Sequence, residues 1–428
     1  MSGAAEFPLS EMPLGQRKSV FSIVMVLLGF TFFTGTMFAG GSLGVAFSIK
    51  DMLWIAVMGN VLLACYAAVL GFISAKTGLN ALLMGRFCFG QVGSKLSDML
   101  LGFAELGWYA WGTATLAISL IHLLNFPTSL PLPLLGVPVD VSIPLMVALG
   151  IGFSLTAVIG FKGLDMLSRL SVPLMLVMLV VSIWLATRKA GGWSGLTAVV
   201  PTQTMSWSSA ITMVFGTFAS GATQATNWTR MSRSGRVAVT AAFVSFAGGN
   251  GLMIVAGGWC AIVYQRADIV EVMGLQGLSL AAVVMLFLNL WTIQGPTIYN
   301  VSAAACHLLR TERRRTVTLL SAGMGIVLAI GGMYKLLIPF LLLLGTVIPP
   351  IGGVIMADYW FCNRGRYPAV KTATLPRFNV KGLVAYALGA ALAYASPWVA
   401  PVVGIAASAA VYMGLVACQA RMRAGNTL

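Results

Sequence analysis

The sequence predicts an all-α membrane protein of about twelve transmembrane helices, on three observations. First, 58% of its 428 residues are hydrophobic and only 9% are charged, a composition far from that of soluble domains. Second, apolar runs long enough to cross a bilayer recur near 20–47, 52–75, 99–124, 141–161, 170–187, 207–229, 237–264, 273–300, 316–333, 336–357, 380–396 and 399–420. Third, the basic residues segregate. With the N-terminus inside, the outer loops hold only Lys50, Arg188, Lys189, Arg266 and Lys335, and the other 21 of the 26 Lys and Arg fall on the inner side. That asymmetry obeys the positive-inside rule with both termini cytoplasmic. The formal net charge of +15 is therefore a topology signal, and nucleic acid is not an expected partner.

The division that follows is a cytoplasmic tail (1–19), a transporter core (20–357), a cytoplasmic loop (358–379), two C-terminal helices (380–420) and a final tail (421–428). Residues 1–19 are polar and the run after them is long enough to span, so no cleavable signal peptide is expected. The six cysteines are scattered without ligand spacing and read as small packing residues. His122 and His307 are far apart in sequence and form no metal pattern.

The first run carries Gly29-Phe-Thr-Phe-Phe-Thr-Gly35, then Gly40, Gly41 and Gly44. Glycine and hydroxyl residues at this density weaken a helix and allow an unwound section. The sixth run carries Phe215-Gly-Thr-Phe-Ala-Ser-Gly221. Both contain Thr-Phe-x-Ser/Thr-Gly, at Thr31–Gly35 and Thr217–Gly221. Matching interruptions in helices one and six are what a five-plus-five inverted repeat predicts, with repeat one at about 20–187 and repeat two at about 207–357. The breaks are expected near Thr34–Gly35 and Ser220–Gly221. Close packing through small residues is the other reading of these motifs.

In the third run Glu105 is the acid lying deepest in any apolar stretch, with Trp108 three residues on, on the same helical face. A carboxyl at membrane depth is costly and usually faces a cavity. An acid beside an indole plane suits a flat polar heterocycle, whose ring stacks while the carboxyl bonds its edge; a Glu paired to a neighbouring helix is the plainer account. The eighth run offers Asn289, Thr292 and Gln294, the last just before Gly295-Pro296. A helix break there would release carbonyls, and oxygen ligands suit a hard cation. Ile348-Pro-Pro350-Ile-Gly-Gly353 in the tenth run is a second flexible element that could gate.

At Phe30–Gly44, Ala75–Gly78, Arg86-Phe87, Gly107-Trp108 and Ile348–Tyr359 the chain resembles the cytosine permease branch of nucleobase:cation symporter family 1, the purine-cytosine permease-like transporters. The resemblance implies a LeuT-like five-plus-five repeat with two extra C-terminal helices. It also implies inward symport of a nucleobase with H+ or Na+ across a bacterial inner membrane, with no cofactor and no obligate protein partner. Carried over by position, Trp108 becomes the stacking platform with Phe218 facing it, and Ser220 and the Phe33 backbone bond the base; Glu105 and Gln294 are the further candidates for the substrate site from the residues themselves. Carbonyls of Gly29, Phe32 and Asn289 and the hydroxyl of Thr292 make the implied sodium site.

Two residues depart from that branch. It has Gln where this chain has Glu105, and a second Thr where this chain has Ile293. The second change removes one oxygen from the implied sodium site. The first replaces a donor–acceptor amide by a carboxylate that only accepts. To pair with the amidine edge of cytosine, Glu105 or the base must carry a proton. The same edge occurs in the hydroxymethylpyrimidine precursor of thiamin. A channel is disfavoured because no repeated filter or charge ring is present. An enzyme would need a second catalytic group beside Glu105. A membrane sensor that binds without transporting is the remaining alternative.

Overall fold

The computed structural model describes residues 11–13, 15, 17–124, 126–131, 138–159 and 161–425, with side chains for all but 130–131, 138–139, 156–159, 161–172 and 423–425. Most of the expected N-terminal tail, residue 160 of the fourth run and residues 426–428 lie outside the described residues.

Each of the twelve apolar runs is a helix or a short series of helical pieces. Among the described residues six helices are individually long and apolar enough to cross a membrane, and the first run adds a seventh as a bent pair. That pair is Val20–Thr31 and Thr34–Ala46, inclined by 57°. The sixth span is likewise interrupted: Trp207–Gly216 stops, Thr217 and Phe218 intervene, and Ala219–Gln224 and Thr226–Thr229 follow. The breaks therefore centre on Phe32–Phe33 and Thr217–Phe218, two or three residues before the expected positions. Span three (Lys95–Leu123) packs along span eight (Ser279–Leu309), and the second half of span one packs along span seven (Gly235–Tyr264). The last two spans, Val380–Ala395 and Ala400–Gly425, pack on each other, and the final one also on span ten (Met333–Cys362).

The glycines of the first span divide by purpose. Gly40, Gly41 and Gly44 lie inside the continuous half-helix Thr34–Ala46. A Cβ on Gly40 would stand 2.0 Å from Ile254 O, and one on Gly44 2.2 Å from Gly258 O. They bring two backbones into contact, as small residues do between membrane helices, and do not unwind the chain.

Span eight corrects two expectations. It runs without a break from Ser279 to Leu309 with Pro296 inside it, so the chain does not unwind beside Gln294, and Pro296 withholds only the N–H that would bond the Thr292 carbonyl. It also begins later than its apolar run, because Ile269–Leu275 forms a separate short helix and Gly277 (φ 76°) turns the chain. Span ten does divide at Ile348, between Leu337–Val347 and Pro349–Ala357. Spans seven and ten contain π-helical stretches, Phe243–Asn250 and Asp358–Cys362. A small antiparallel pairing of Ser129–Pro131 with Pro138–Asp140 follows span three and was not expected.

One face of the bundle is knitted across its spans. Glu11 Oε1 accepts from Val370 N at 2.7 Å, and Lys18 N donates to Met231 O at 2.6 Å. Buried Asp358 accepts from Tyr367 at 2.9 Å and Tyr412 at 2.7 Å, which fastens the 358–379 segment to the last span.

Candidate binding site

Where the first and sixth spans break, they face spans three and eight round a small cavity lined by buried residues. Phe30, Phe33, Trp108, Phe218 and Ile293 supply its apolar wall; Glu105, Thr217, Ser220 and Thr297 supply its polar groups. The cavity has a volume of about 10 Å³, room for about one water. Phe33 is the reason. Its ring lies edge-on to Trp108 at 5.1 Å and to Phe218 at 6.3 Å, so it fills the slot between the two. A planar ring enters only if Phe33 turns aside.

The motif glycines make this aromatic cluster possible. A Cβ on Gly35 would stand 2.6 Å from the Phe33 ring and 2.9 Å from Trp111. One on Gly221 would stand 2.6 Å from Phe218 and 2.9 Å from Phe30. Each repeat thus pairs an aromatic at its break with a glycine two or three residues on.

Glu105 is 2% exposed. Ser220 Oγ donates to its Oε1 at 2.9 Å, and Asn300 Nδ2 reaches its Oε2 at 3.4 Å. No cation pairs with it among the described residues. Behind Asn300 the amides continue: Asn227 Nδ2 donates to Asn300 Oδ1 at 3.3 Å, and Asn80 Nδ2 to Asn227 Oδ1 at 2.8 Å. The carboxyl is the terminal acceptor of an amide chain that crosses spans eight and six to the cap of Ala81–Phe89.

Of the residues singled out from sequence, Glu105, Trp108, Phe33, Phe218 and Ser220 come together in this wall. Gln294 does not. Its Nε2 donates to Tyr109 O at 2.9 Å, and its amide packs where a Cβ on Gly112 would stand, so it braces span three. The Phe33 carbonyl accepts from Thr36 N at 3.1 Å and from the Thr36 hydroxyl at 2.8 Å.

Asn289 has a different geometry from a plain carbonyl ligand. Its Oδ1 accepts from Thr34 N at 2.9 Å and its Nδ2 donates to Phe32 O at 2.5 Å. It thereby satisfies the two backbone groups that flank the break, which in hydrocarbon would be costly alone. Thr292 Oγ1 donates to Asn289 O at 2.8 Å. The Phe32 and Asn289 carbonyls therefore each already accept a side-chain hydrogen bond. Ile293, standing where a second hydroxyl is absent, faces the cavity.

Asn300 and Thr297 were missed in the sequence. The signal was present: Asn289, Ile293, Thr297 and Asn300 fall at spacings of four, four and three, one stripe of a helix.

The chain matches, over residues 13–417, the family described as permeases for cytosine/purines, uracil, thiamine and allantoin. It is 34% identical over 414 residues to the cytosine permeases of Escherichia coli O157:H7 and Escherichia coli strain K12, covering 96% of this chain and 94% of each relative. In fold it is similar to Mhp1 in an inward-facing conformation, with TM-score 0.81, 17% identity and coverage of 96% and 93%. It is also similar to Mhp1, a nucleobase-cation-symport-1 family transporter, closed with bromovinylhydantoin bound, with TM-score 0.80, 16% identity and coverage of 96% and 95%. A Na+-coupled sialic acid symporter gives TM-score 0.61 at 13% identity, covering 96% of this chain and 92% of its own. On the strength of the match over residues 13–417 and the identity to two curated permeases, this multi-pass membrane chain belongs to the family of permeases for cytosine/purines, uracil, thiamine and allantoin.

Proposed function

We propose that this chain imports cytosine or a closely related aminopyrimidine by cation symport, with Glu105 reading the edge of the base and Trp108 stacking on its face. The single observation that carries the reading is Glu105 itself, a carboxyl in an aromatic-walled cavity between two broken helices, held only by uncharged donors. Half-helices that meet at the bilayer midplane are where secondary transporters bind their cargo. The likeness to the cytosine permeases supports the aminopyrimidine class.

A carboxylate only accepts hydrogen bonds, whereas the amidine edge of cytosine presents one donor and one acceptor. Glu105 pairs with both when it carries a proton, so the proton enters the complex with the base. On this reading H+ supplies at least part of the coupling. Na+ at Gly29, Phe32, Asn289 and Thr292 is the other reading of the ion; the mutual bonds of Asn289 and Thr292 and the side chain of Ile293 weigh against it. The positive-inside asymmetry supports a cytoplasmic location for the face that carries the N-terminus and the 358–379 segment.

Hydroxymethylpyrimidine is a second substrate reading, favoured by the inclusion of thiamine in the family description. The test is a thermal-shift panel on the purified chain with cytosine, hydroxymethylpyrimidine, uracil, adenine and allantoin, followed by uptake into proteoliposomes of whichever stabilises it. Cytosine or hydroxymethylpyrimidine should stabilise the protein and accumulate against its gradient. Stabilisation without accumulation would identify a sensor, and stabilisation by uracil alone would remove the amidine argument.

A further inference from the structure

A side-chain amide fits its site either way round, and its neighbours decide which end donates. In the row of amides from Asn80 to Glu105 one fixed group decides for all of them. Asn80 caps the helix Ala81–Phe89, and its Oδ1 accepts from Leu83 N at 3.0 Å. A backbone N–H only donates, so that end of the amide is the oxygen and Nδ2 is the free donor. Ala81 N donates to Thr226 Oγ1 at 2.8 Å, which holds the cap against span six. The rest follows in order. Asn80 Nδ2 meets Asn227 Oδ1 at 2.8 Å, Asn227 Nδ2 meets Asn300 Oδ1 at 3.3 Å, and Asn300 Nδ2 meets Glu105 Oε2 at 3.4 Å. Turning any one amide would set donor against donor at one end and acceptor against acceptor at the other. None of the three is more than 6% exposed, and buried mismatches of this kind are costly.

The consequence falls on Glu105. Its Oε2 faces a group that only donates, so a proton on the carboxyl does not sit in the Asn300 contact. Its Oε1 faces the Ser220 hydroxyl at 2.9 Å, a rotor that donates or accepts as needed. Ser220 and Asn300 are the polar groups that bear on the carboxyl. The titratable groups of the packed elements are engaged elsewhere. Val20–Ala46 of span one and Trp207–Thr229 of span six carry none. On spans three and eight Asp98 faces His307 at 3.7 Å, Tyr109 donates to Gly150 O at 2.5 Å, and the Tyr299 ring lies under Arg314 at 3.9 Å. On span ten Asp358 is held by Tyr367 and Tyr412.

We infer that Asn80 and Asn227 are positioning residues for Glu105: the helix cap at Asn80, relayed through Asn227 and Asn300, keeps Oε2 an acceptor and places the proton of the carboxyl on Oε1. Oε1–H then donates to the ring nitrogen of an amidine edge, and Oε2 accepts from its amino group. The base is thereby oriented with its amino group towards Asn300 and its ring nitrogen towards Ser220. The place of the proton depends on the amides alone; its use in holding a base rests on the function proposed for Glu105.

The experiment reverses the row from its far end. Asn80→Asp keeps the cap, since aspartate caps a helix as well as asparagine does, but it presents Asn227 with an acceptor. Asn227 must then turn, and Asn300 with it, so that an oxygen faces Glu105 Oε2 and requires a proton there. Protonation is followed on the purified full chain without base, by the infrared carbonyl band that Glu105→Gln removes. In Asn80→Asp the band should persist to higher pH than in the wild type, by about one pH unit or more. Asn227→Asp makes the same reversal without touching the cap and should move the band in the same sense. Asn80→Asp combined with Asn300→Leu separates the relay from the added charge: compared with Asn300→Leu alone, the band should not move. An equal shift in both backgrounds would reduce Asn80 to a remote charge. No shift in either single variant, or no such band in the wild type at any pH at which it is folded, would overturn the inference. Cytosine affinity, measured against pH in parallel by thermal shift, reports on the proposed function separately. A band that moves while affinity ignores pH would fail that function and keep the relay; affinity that falls as pH rises, with the band unmoved, would do the reverse.

Discussion

Ser220 Oγ donates a hydrogen bond to Glu105 Oε1 at 2.9 Å. The bond joins the second half of a broken span to the middle of span three, and it orients the one buried acid in the cavity wall. Ser220→Ala removes the donor without adding bulk. A hydrogen bond to such a group contributes about 1 kcal/mol or somewhat more, so base affinity should fall by roughly five- to tenfold while the melting temperature changes little. Ligand titration by thermal shift checks this. An unchanged affinity would detach Ser220 from the binding geometry.

Trp108 packs edge-on against Phe33 at 5.1 Å and Phe340 at 5.6 Å. Its removal therefore opens a gap as well as deleting a stacking surface. Trp108→Ala should abolish binding and lower the melting temperature, since deleting a buried aromatic costs about 3–5 kcal/mol. Trp108→Phe separates the two effects, because it keeps a ring in the gap. That variant should retain the fold and lose only part of the stacking energy, which is about 1–3 kcal/mol per base elsewhere. Full affinity in Trp108→Phe and in Trp108→Ala would remove Trp108 from the site.

The motif glycines are predicted to be intolerant for a steric reason. Alanine at Gly35 would press on the Phe33 ring, and alanine at Gly221 on Phe218 and Phe30. Overpacking of this kind costs about 1–3 kcal/mol, and here the rings that must yield are the cavity wall. Gly35→Ala and Gly221→Ala should both fold with a reduced melting temperature and lose measurable base binding. Gly323, whose Cβ would meet nothing within 4 Å, supplies the control: Gly323→Ala should leave both properties intact.

Asn289 marks the limit of what the sequence could tell. Local composition located the broken spans, because glycine and hydroxyl residues weaken a helix wherever they cluster. It could not locate the break to the residue, because the hydrogen bonds that stabilise Phe32 and Thr34 come from Asn289, more than 250 positions away. Gln294 looked like a pocket residue for the same reason: its Gly-Pro neighbours suggested a break, and a continuous span eight turned its amide onto Tyr109. Periodicity could have found Asn300, which lies on the stripe of Asn289. Asn289→Leu should leave a buried N–H and a buried carbonyl unpaired, at about 1–3 kcal/mol each, and so lower the melting temperature more than Thr292→Val does. Equal melting temperatures for the two variants would deny Asn289 its role at the break.

The ion is the sharpest test, because Glu105 and Ile293 are the two positions at which the sequence reading expects this chain to depart from the cytosine permease pattern. If Glu105 must carry a proton to pair with an amidine edge, the competent fraction of protein falls as pH rises. Uptake should then be greater on the acidic side and decline towards alkaline pH. An inward proton gradient imposed on proteoliposomes should drive accumulation without sodium. Glu105→Gln supplies the amide donor and acceptor without a titratable group. It should keep aminopyrimidine affinity while its binding no longer varies with pH, and the proton gradient should lose its effect on uptake. The four measurements, wild type and variant under separate proton and sodium gradients, distinguish the readings. Accumulation that follows sodium alone, with a pH profile indifferent to Glu105→Gln, would leave Glu105 as a positioning acceptor and assign the coupling to bound sodium.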